Sequence, residues 1–157
     1  MLQRYKTLIA KLNNLEDLTL LFIRLILAYG FYTPAMLKWQ DIGSIAEWFK
    51  GLGIPFPELN AYLSTSTEIA GVVLLLLGLL TRFISIPLIF VMMVAIVTVH
   101  VGNGFEAGNN GFEIPLYYIL MLLVLLINGA GKFSLDNFLS NKFLLGTKSF
   151  TAVSDPY

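Results

Sequence analysis

The chain contains no cysteine and one histidine, His100, in 157 residues. The missing cysteine excludes a structural disulfide, a thiol nucleophile or relay and a cysteine-ligated iron–sulfur cluster. A lone histidine cannot supply both axial ligands of a b-type haem, so an intrinsic haem is not expected. Charge is also scarce. Asp, Glu, Lys and Arg make up 13% of the chain, about half the share of an ordinary soluble domain. Ten basic side chains balance ten acidic ones, which leaves no basic excess for a nucleic-acid surface. No P-loop, dinucleotide or flavin fingerprint, nucleophile triad or metal-ligand spacing is present.

Apolar residues are what the chain has in quantity. They form 57% of it, with a mean hydropathy of +0.76, and they gather in four runs at residues 18–39, 62–80, 83–101 and 112–128. A helix over 62–80 rises about 28 Å, close to the hydrocarbon thickness of a bilayer. The first run is longer than the apolar core of a signal peptide, contains Arg24 and lacks an A-x-A exit, so it is read as a retained span. The expectation is one all-α domain, an integral membrane four-helix transmembrane bundle.

Between spans one and two a short interfacial helix is expected. Ile42, Ile45, Phe49 and Leu52 share one face with Trp48 beside them, and Asp41, Glu47 and Lys50 take the other. Gly51, Gly53, Pro55 and Pro57 then break it. Residues 1–17 read as a cytoplasmic segment, a basic surface helix that stops at a cap in Asn13–Asp17. Residues 129–157 read as a mostly irregular cytoplasmic tail with an amphipathic piece at 135–145.

Four spans put both ends on one side. Arg4, Lys6, Lys11, Arg82, Lys132, Lys142 and Lys148 fall on that side, while Lys50 stands alone in the opposite connections. The positive-inside rule therefore predicts a multi-pass protein with both termini in the cytoplasm. Small size and short loops point to a bacterial plasma (inner) membrane.

That topology sends Lys38, Glu68, His100 and Glu113 towards the outer leaflet. Arg24, Ala28, Phe31, Ala35 and Lys38 fall on one face of span one, where small residues suit close helix approach. At 1.5 Å per residue Arg24 enters at roughly 9 Å, Glu68 lies at roughly 18 Å and Lys38 at roughly 30 Å from the inner end. Intramembrane charges are costly and mark candidate functional sites. Glu68, His100 and Glu113 are the candidate acid–base groups, and Arg24, Lys38 and Trp39 the candidate substrate-binding groups. Each has a structural alternative. Lys38 can snorkel, His100 can cap a helix end, Glu113 can favour the first turn of its helix, and Arg24 can pair with Glu68. The aromatics Tyr29, Phe31, Tyr32, Trp39, Tyr117 and Tyr118 can line a pocket for a flat ligand or form an interfacial belt.

The order of these residues resembles the DoxX family of small four-helix membrane proteins. The matching pieces are Arg24-Leu25, Lys38, Phe49, Gly53-Ile54-Pro55, Glu68 with Gly71, Leu77-Gly78, Thr81-Arg82, Ala95, His100, Gly129-Ala130-Gly131 and Ser134-Leu135-Asp136. Pro34-Ala35 departs from the family, whose members often have a glycine shortly before the lysine. The resemblance implies a membrane component of an oxidoreductase, in some members linked to quinones, with a quinone as the candidate ligand. Such a site needs proton donors or acceptors at the ring oxygens, a role open to His100 with Glu68 or Glu113. Lys38 or Arg24 would stabilise a developing phenolate. Electrons would come from a redox partner subunit. The alternative is a non-catalytic scaffold or assembly subunit whose polar cluster holds the bundle together.

Overall fold

The computed structural model describes the backbone of residues 2–142 and the side chains of residues 15–142. Among these residues every regular element is helical. The order is α1 (Leu2–Gln40), α2 (Ile42–Gly51), α3 (Pro57–Leu77), α4 (Thr81–Ala95) and α5 (Glu113–Asn128). A last helix, α6, covers 135–142. Three segments are long and apolar enough to cross a membrane: Leu15–Gln40, Pro57–Leu77 and Thr81–Asn103. The apolar α5 is shorter, at 16 residues. The chain is thus an all-α membrane bundle, with α2 set between its first two long helices.

The helix break expected at Asn13–Asp17 is absent, because α1 runs unbroken from Leu2 to Gln40. Neither glycine nor proline occurs before Gly30, and the leucine periodicity carries on through the asparagines. Asp17 works elsewhere. Its carboxylate accepts from the Lys132 amide at 2.9 Å and pairs with Lys132 Nζ at 2.9 Å. The side chains of Arg4, Lys6 and Lys11, and all of residues 143–157 with Lys148 and the end of the expected amphipathic piece, lie outside the described residues.

Asp41 ends α1 and starts α2, its carboxylate accepting from the Ser44 amide at 3.0 Å. On α2, Ile42, Ile45, Ala46, Phe49 and Leu52 turn inward, while Asp41, Glu47 and Lys50 are exposed. The amphipathic reading of this segment therefore holds, and its apolar face packs on α3. Gly78 closes α3 in the left-handed region at φ +63°, and the Leu79 amide bonds back to Leu74 O at 2.9 Å. Thr81 opens α4 two residues after Leu79, so α3 and α4 are joined by a very tight turn. Past Ala95 the helix widens into a π turn, Ile96–His100, and then narrows to a 3₁₀ turn, Val101–Asn103.

α1 packs on α3 and α4 on α5, with α3 and α4 in contact between the pairs. The buried apolar cluster comprises Leu20, Leu27, Ala28 and Phe31 of α1, Val72 and Leu75 of α3, Ile84 and Leu88 of α4, and Leu122 and Leu125 of α5. Most of these positions lie in the half of the bundle that holds the α3–α4 turn, here called the turn end, while Ala28 and Phe31 stand near mid-height. The opposite half, which holds α2 and the 101–112 connection, is called the loop end. Its buried positions on α1 and α3 are small or polar: Ala35, Ala61, Thr65 and Glu68. Large hydrophobic side chains fill one half of the molecule, and polar groups occupy the helix–helix contact in the other.

Candidate functional site

Lys38 lies on the last turn of α1, and Glu68 on the fourth turn of α3. Lys38 Nζ donates to Glu68 Oε1 at 2.6 Å. The Glu68 side chain is 1% exposed, while that of Lys38 is 20% exposed. The carboxylate is therefore enclosed, and its partner reaches it from a partly open position. An enclosed carboxylate carries a desolvation cost of several kcal/mol, which only a close counter-charge and further hydrogen bonds offset.

Half of that carboxylate remains unused. Among the described residues, Glu68 Oε2 has no hydrogen-bond partner. Nor does Thr65 Oγ1, three residues earlier on the same face of α3 and fully buried. A helical threonine commonly donates to the carbonyl four residues back. Here Ser64 takes that acceptor, Ala61 O, at 3.2 Å. The helix thus offers one acceptor and one hydroxyl side by side on its buried face, with a lysine behind the acceptor. Such a set can hold a small group that both donates and accepts, and it can pass a proton.

The face of α1 read from the sequence is observed, with Arg24, Ala28, Phe31 and Ala35 all buried above or below one another. Ala61, Thr65, Glu68, Val72 and Leu75 form the matching face of α3. Of the six candidate site residues, the structure joins Lys38 to Glu68 and separates the others from that pair.

Arg24 does not pair with Glu68. It is fully buried at the turn end, where Nη1 donates to Leu75 O at 3.4 Å and Nη2 to Phe133 O. Fourteen helical residues place it roughly 21 Å from Lys38 along α1. His100 and Glu113 organise the 101–112 connection instead. His100 Nδ1 contacts Asn110 O at 2.8 Å, which Asn103 Nδ2 also reaches at 3.2 Å. Glu113 accepts from the Ala107 amide and from the Tyr117 hydroxyl, each at 3.0 Å. Neither bonds to Lys38 or Glu68. Trp39 follows Lys38 with an exposed ring.

Sequence reasoning overlooked Thr65, although its spacing of three from Glu68 placed both on one face. It also overlooked Asp136 as an anchor. The Asp136 carboxylate accepts from the Leu80 amide at 2.8 Å and the Thr81 amide at 3.2 Å, and its own amide donates to Gly78 O at 3.0 Å. Together with Asp17–Lys132, these bonds fasten residues 131–136 across the turn end.

The DoxX family model matches residues 19–101, which contain α2, α3 and the buried faces of α1 and α4. A protein of Haemophilus influenzae described as uncharacterized is 33% identical over 139 residues, covering 86% of this chain and 91% of the relative. A Bacillus subtilis protein described as putative oxidoreductase CatD is 28% identical over 129 residues, 81% of this chain and 91% of that protein. An uncharacterized membrane protein of Mycobacterium tuberculosis is 31% identical over 131 residues, 76% of this chain and 80% of that protein. No solved structure matches the chain. The family match spans more than half of the chain, a relative at one-third identity is covered almost end to end, and the chain therefore belongs to the DoxX family.

Proposed function

We propose that the protein is a membrane component of a quinone-linked oxidoreductase system, and that Glu68, Lys38 and Thr65 form its polar site. The observation that carries this reading is the half-satisfied buried carboxylate, with Oε2 of Glu68 and the Thr65 hydroxyl both unpartnered. A quinol O–H can donate to Glu68 Oε2, and a quinone carbonyl can accept from Thr65 Oγ1. Lys38 positions Glu68, so its carboxylate can take a proton from one ring oxygen or return one. Two electrons, and the proton of the second ring oxygen, pass between the ring and a redox partner subunit, since this chain offers no thiol or cofactor motif to carry the electrons.

Trp39 stands beside this pair at the end of α1. The loop held by His100 and Glu113 belongs to the same end of the bundle, where it shapes access. Arg24 supports the site only indirectly, by fixing the opposite end of α1. Of the described basic residues, Arg24, Arg82, Lys132 and Lys142 belong to the turn end and Lys38 and Lys50 to the loop end. That distribution supports a plasma-membrane orientation with both termini in the cytoplasm. The description of the B. subtilis relative as putative oxidoreductase CatD agrees with the reading.

The test is a thermal titration of the purified protein with short-chain ubiquinone and menaquinone analogues. The wild type melts at a higher temperature as quinone is added, whereas E68Q and T65V fold but show no shift. A wild type that does not respond to either quinone removes the reading. One observation favours a scaffold instead. The Lys38–Glu68 bond spans the α1–α3 contact, so it also serves assembly. In that case E68Q lowers the yield of the assembled complex and leaves no ligand response to lose.

A further inference from the structure

We propose that the cleft between α2 and the start of α3 holds the headgroup of a phospholipid that carries both a phosphate and a primary ammonium, the phosphatidylethanolamine class. The cleft measures about 340 Å³, in the range of small-ligand sites. Ala46, Glu47 and Lys50 line its α2 side, and Phe56, Glu58 and Leu59 its α3 side. The two sides are tied together without a ligand. The Ile54 amide donates to Phe49 O at 3.0 Å, and Asn60 Nδ2 donates to Pro55 O at 2.6 Å, so the connection is fastened to both helices. Phe56 stands between them at φ +46°, an unfavourable conformation for a bulky residue, with its ring 76% exposed. Lys38, Thr65 and Glu68 do not line this cleft, which makes it a second site.

Position selects a lipid as the occupant. The apolar stretch of α1 ends at Gln40 and that of α3 begins at Pro57, which also lines the cleft. The cleft thus sits where the hydrocarbon layer gives way to headgroups, the level at which the exposed rings of Trp39 and Trp48 also stand. Phe56 and Leu59 are exposed apolar residues on its wall, and the exposed Leu63 continues that surface one turn further along α3. A lipid can therefore place its headgroup among the charges while its acyl chains follow α3 into the bilayer.

Charge then selects the headgroup. Two carboxylates and one ammonium line the same cleft, and they come from two different helices. Among the described residues none of the three makes a side-chain hydrogen bond, and even Lys50 Nζ and Glu47 Oε2 stand 4.0 Å apart. Such an exposed pair contributes little by itself, so all three groups remain available. Lys50 suits a phosphate oxygen. An ammonium with three N–H donors suits Glu47 and Glu58, with the Phe56 ring beside them. Phosphatidylglycerol brings an anion to a cleft in which carboxylates outnumber ammonium groups. Phosphatidylcholine brings a cation without N–H donors. The ethanolamine headgroup alone of the three meets both signs with hydrogen bonds.

The test compares the three headgroups on identical acyl chains, each lipid added separately to the full-length protein in detergent. Native mass spectrometry reads the lipid retained, and a thermal melt reads the stabilisation. Phosphatidylethanolamine is retained most and raises the melting temperature most. E47Q/E58Q, which changes two exposed side chains, lowers its affinity about fivefold and brings it level with phosphatidylcholine. K50Q weakens both of these lipids alike, because both lose the phosphate contact, and E16Q at the turn end changes neither. Equal retention of the three lipids, a preference for phosphatidylglycerol, or an ethanolamine preference that survives E47Q/E58Q would each overturn the proposal.

Discussion

Lys38 Nζ and Glu68 Oε1 lie 2.6 Å apart across thirty residues of sequence, and this contact holds the last turn of α1 against α3 where the hydrophobic core has ended. Its energetics are asymmetric. Removing the lysine leaves an enclosed carboxylate without its counter-charge, whereas removing both charges leaves an apolar contact. K38M is expected to destabilise the protein by about 3 kcal/mol, E68Q by less, and K38M/E68L by much less than the sum. Unfolding of all four proteins in one detergent measures the coupling. Additive losses would show that the two side chains do not depend on each other.

Arg24 and Gly78 meet at the opposite end, and their relationship leaves almost no room for change. A Cβ on Gly78 would collide with Arg24 Nη1, and the residue holds φ +63°. G78A therefore must both strain the backbone and displace a buried guanidinium that bonds to Leu75 O and Phe133 O. A loss of about 3 kcal/mol is expected for G78A. R24K is expected to lose about 2 kcal/mol, because a single ammonium nitrogen cannot reproduce the planar spacing of the two guanidinium nitrogens that reach these carbonyls. The pair G78A/R24A should cost less than the two single changes combined, which melting temperatures in detergent can read.

These two ends differ in how visible they are in the sequence. The buried faces of α1 and α3 follow from the spacing of Arg24, Ala28, Phe31, Ala35 and Lys38 and of Ala61, Thr65 and Glu68, since helical periodicity alone aligns them. Depth counting set Lys38 above Glu68. They touch because a lysine side chain is long and leans back towards the N-terminus of its helix. The destination of Arg24 could not be read the same way. Its acceptors are main-chain carbonyls, one of them 109 residues away, and a carbonyl carries no residue-type signal. The break expected at Asn13–Asp17 failed for a related reason: cap residues permit a helix start without requiring one, and apolar periodicity on both sides overrode them. His100 and Glu113 were placed at the loop end by topology, but backbone geometry within 101–112 decides what they bond.

Two groups outside the spans give the protein opposite sensitivities to pH. The Asp17 carboxylate holds the Lys132 ammonium above the usual lysine range, through a hydrogen bond first and charge second. A folded value above the unfolded one means that this contribution is complete below the unfolded lysine value, near 10.4, and is lost as pH rises through the folded value. The Ser44 hydroxyl and amide hold Asp41 below the usual carboxylate range. That contribution is present above the unfolded carboxylate value and is lost as pH falls through the folded one. The melting-temperature gap between wild type and K132M should therefore persist at neutral pH and close on the alkaline side. The gap between wild type and D41A should close on the acid side. Gaps that do not change with pH would remove both assignments.

Asp136 supplies what the start of α4 lacks. Leu80 occupies the N-cap position at φ +50° and has no side chain that could accept from the first amides of the helix. The Asp136 carboxylate arrives from beyond α5 and accepts from both Leu80 and Thr81. Its own amide bonds to Gly78 O, so one residue closes the end of α3 and the start of α4 together. D136A leaves two helix-terminal donors unpaired and should cost about 1–2 kcal/mol. It should also loosen residues 131–136, and with them the Phe133 carbonyl that Arg24 uses. Faster hydrogen exchange at the first turn of α4 and faster proteolysis after Gly131 would report the two effects separately. D136N keeps an acceptor but loses the charge that favours a helix N-terminus, so it should fall between wild type and D136A. If D136N melts with the wild type, hydrogen bonding alone holds the turn; if it melts with D136A, the carboxylate charge is what the helix needs.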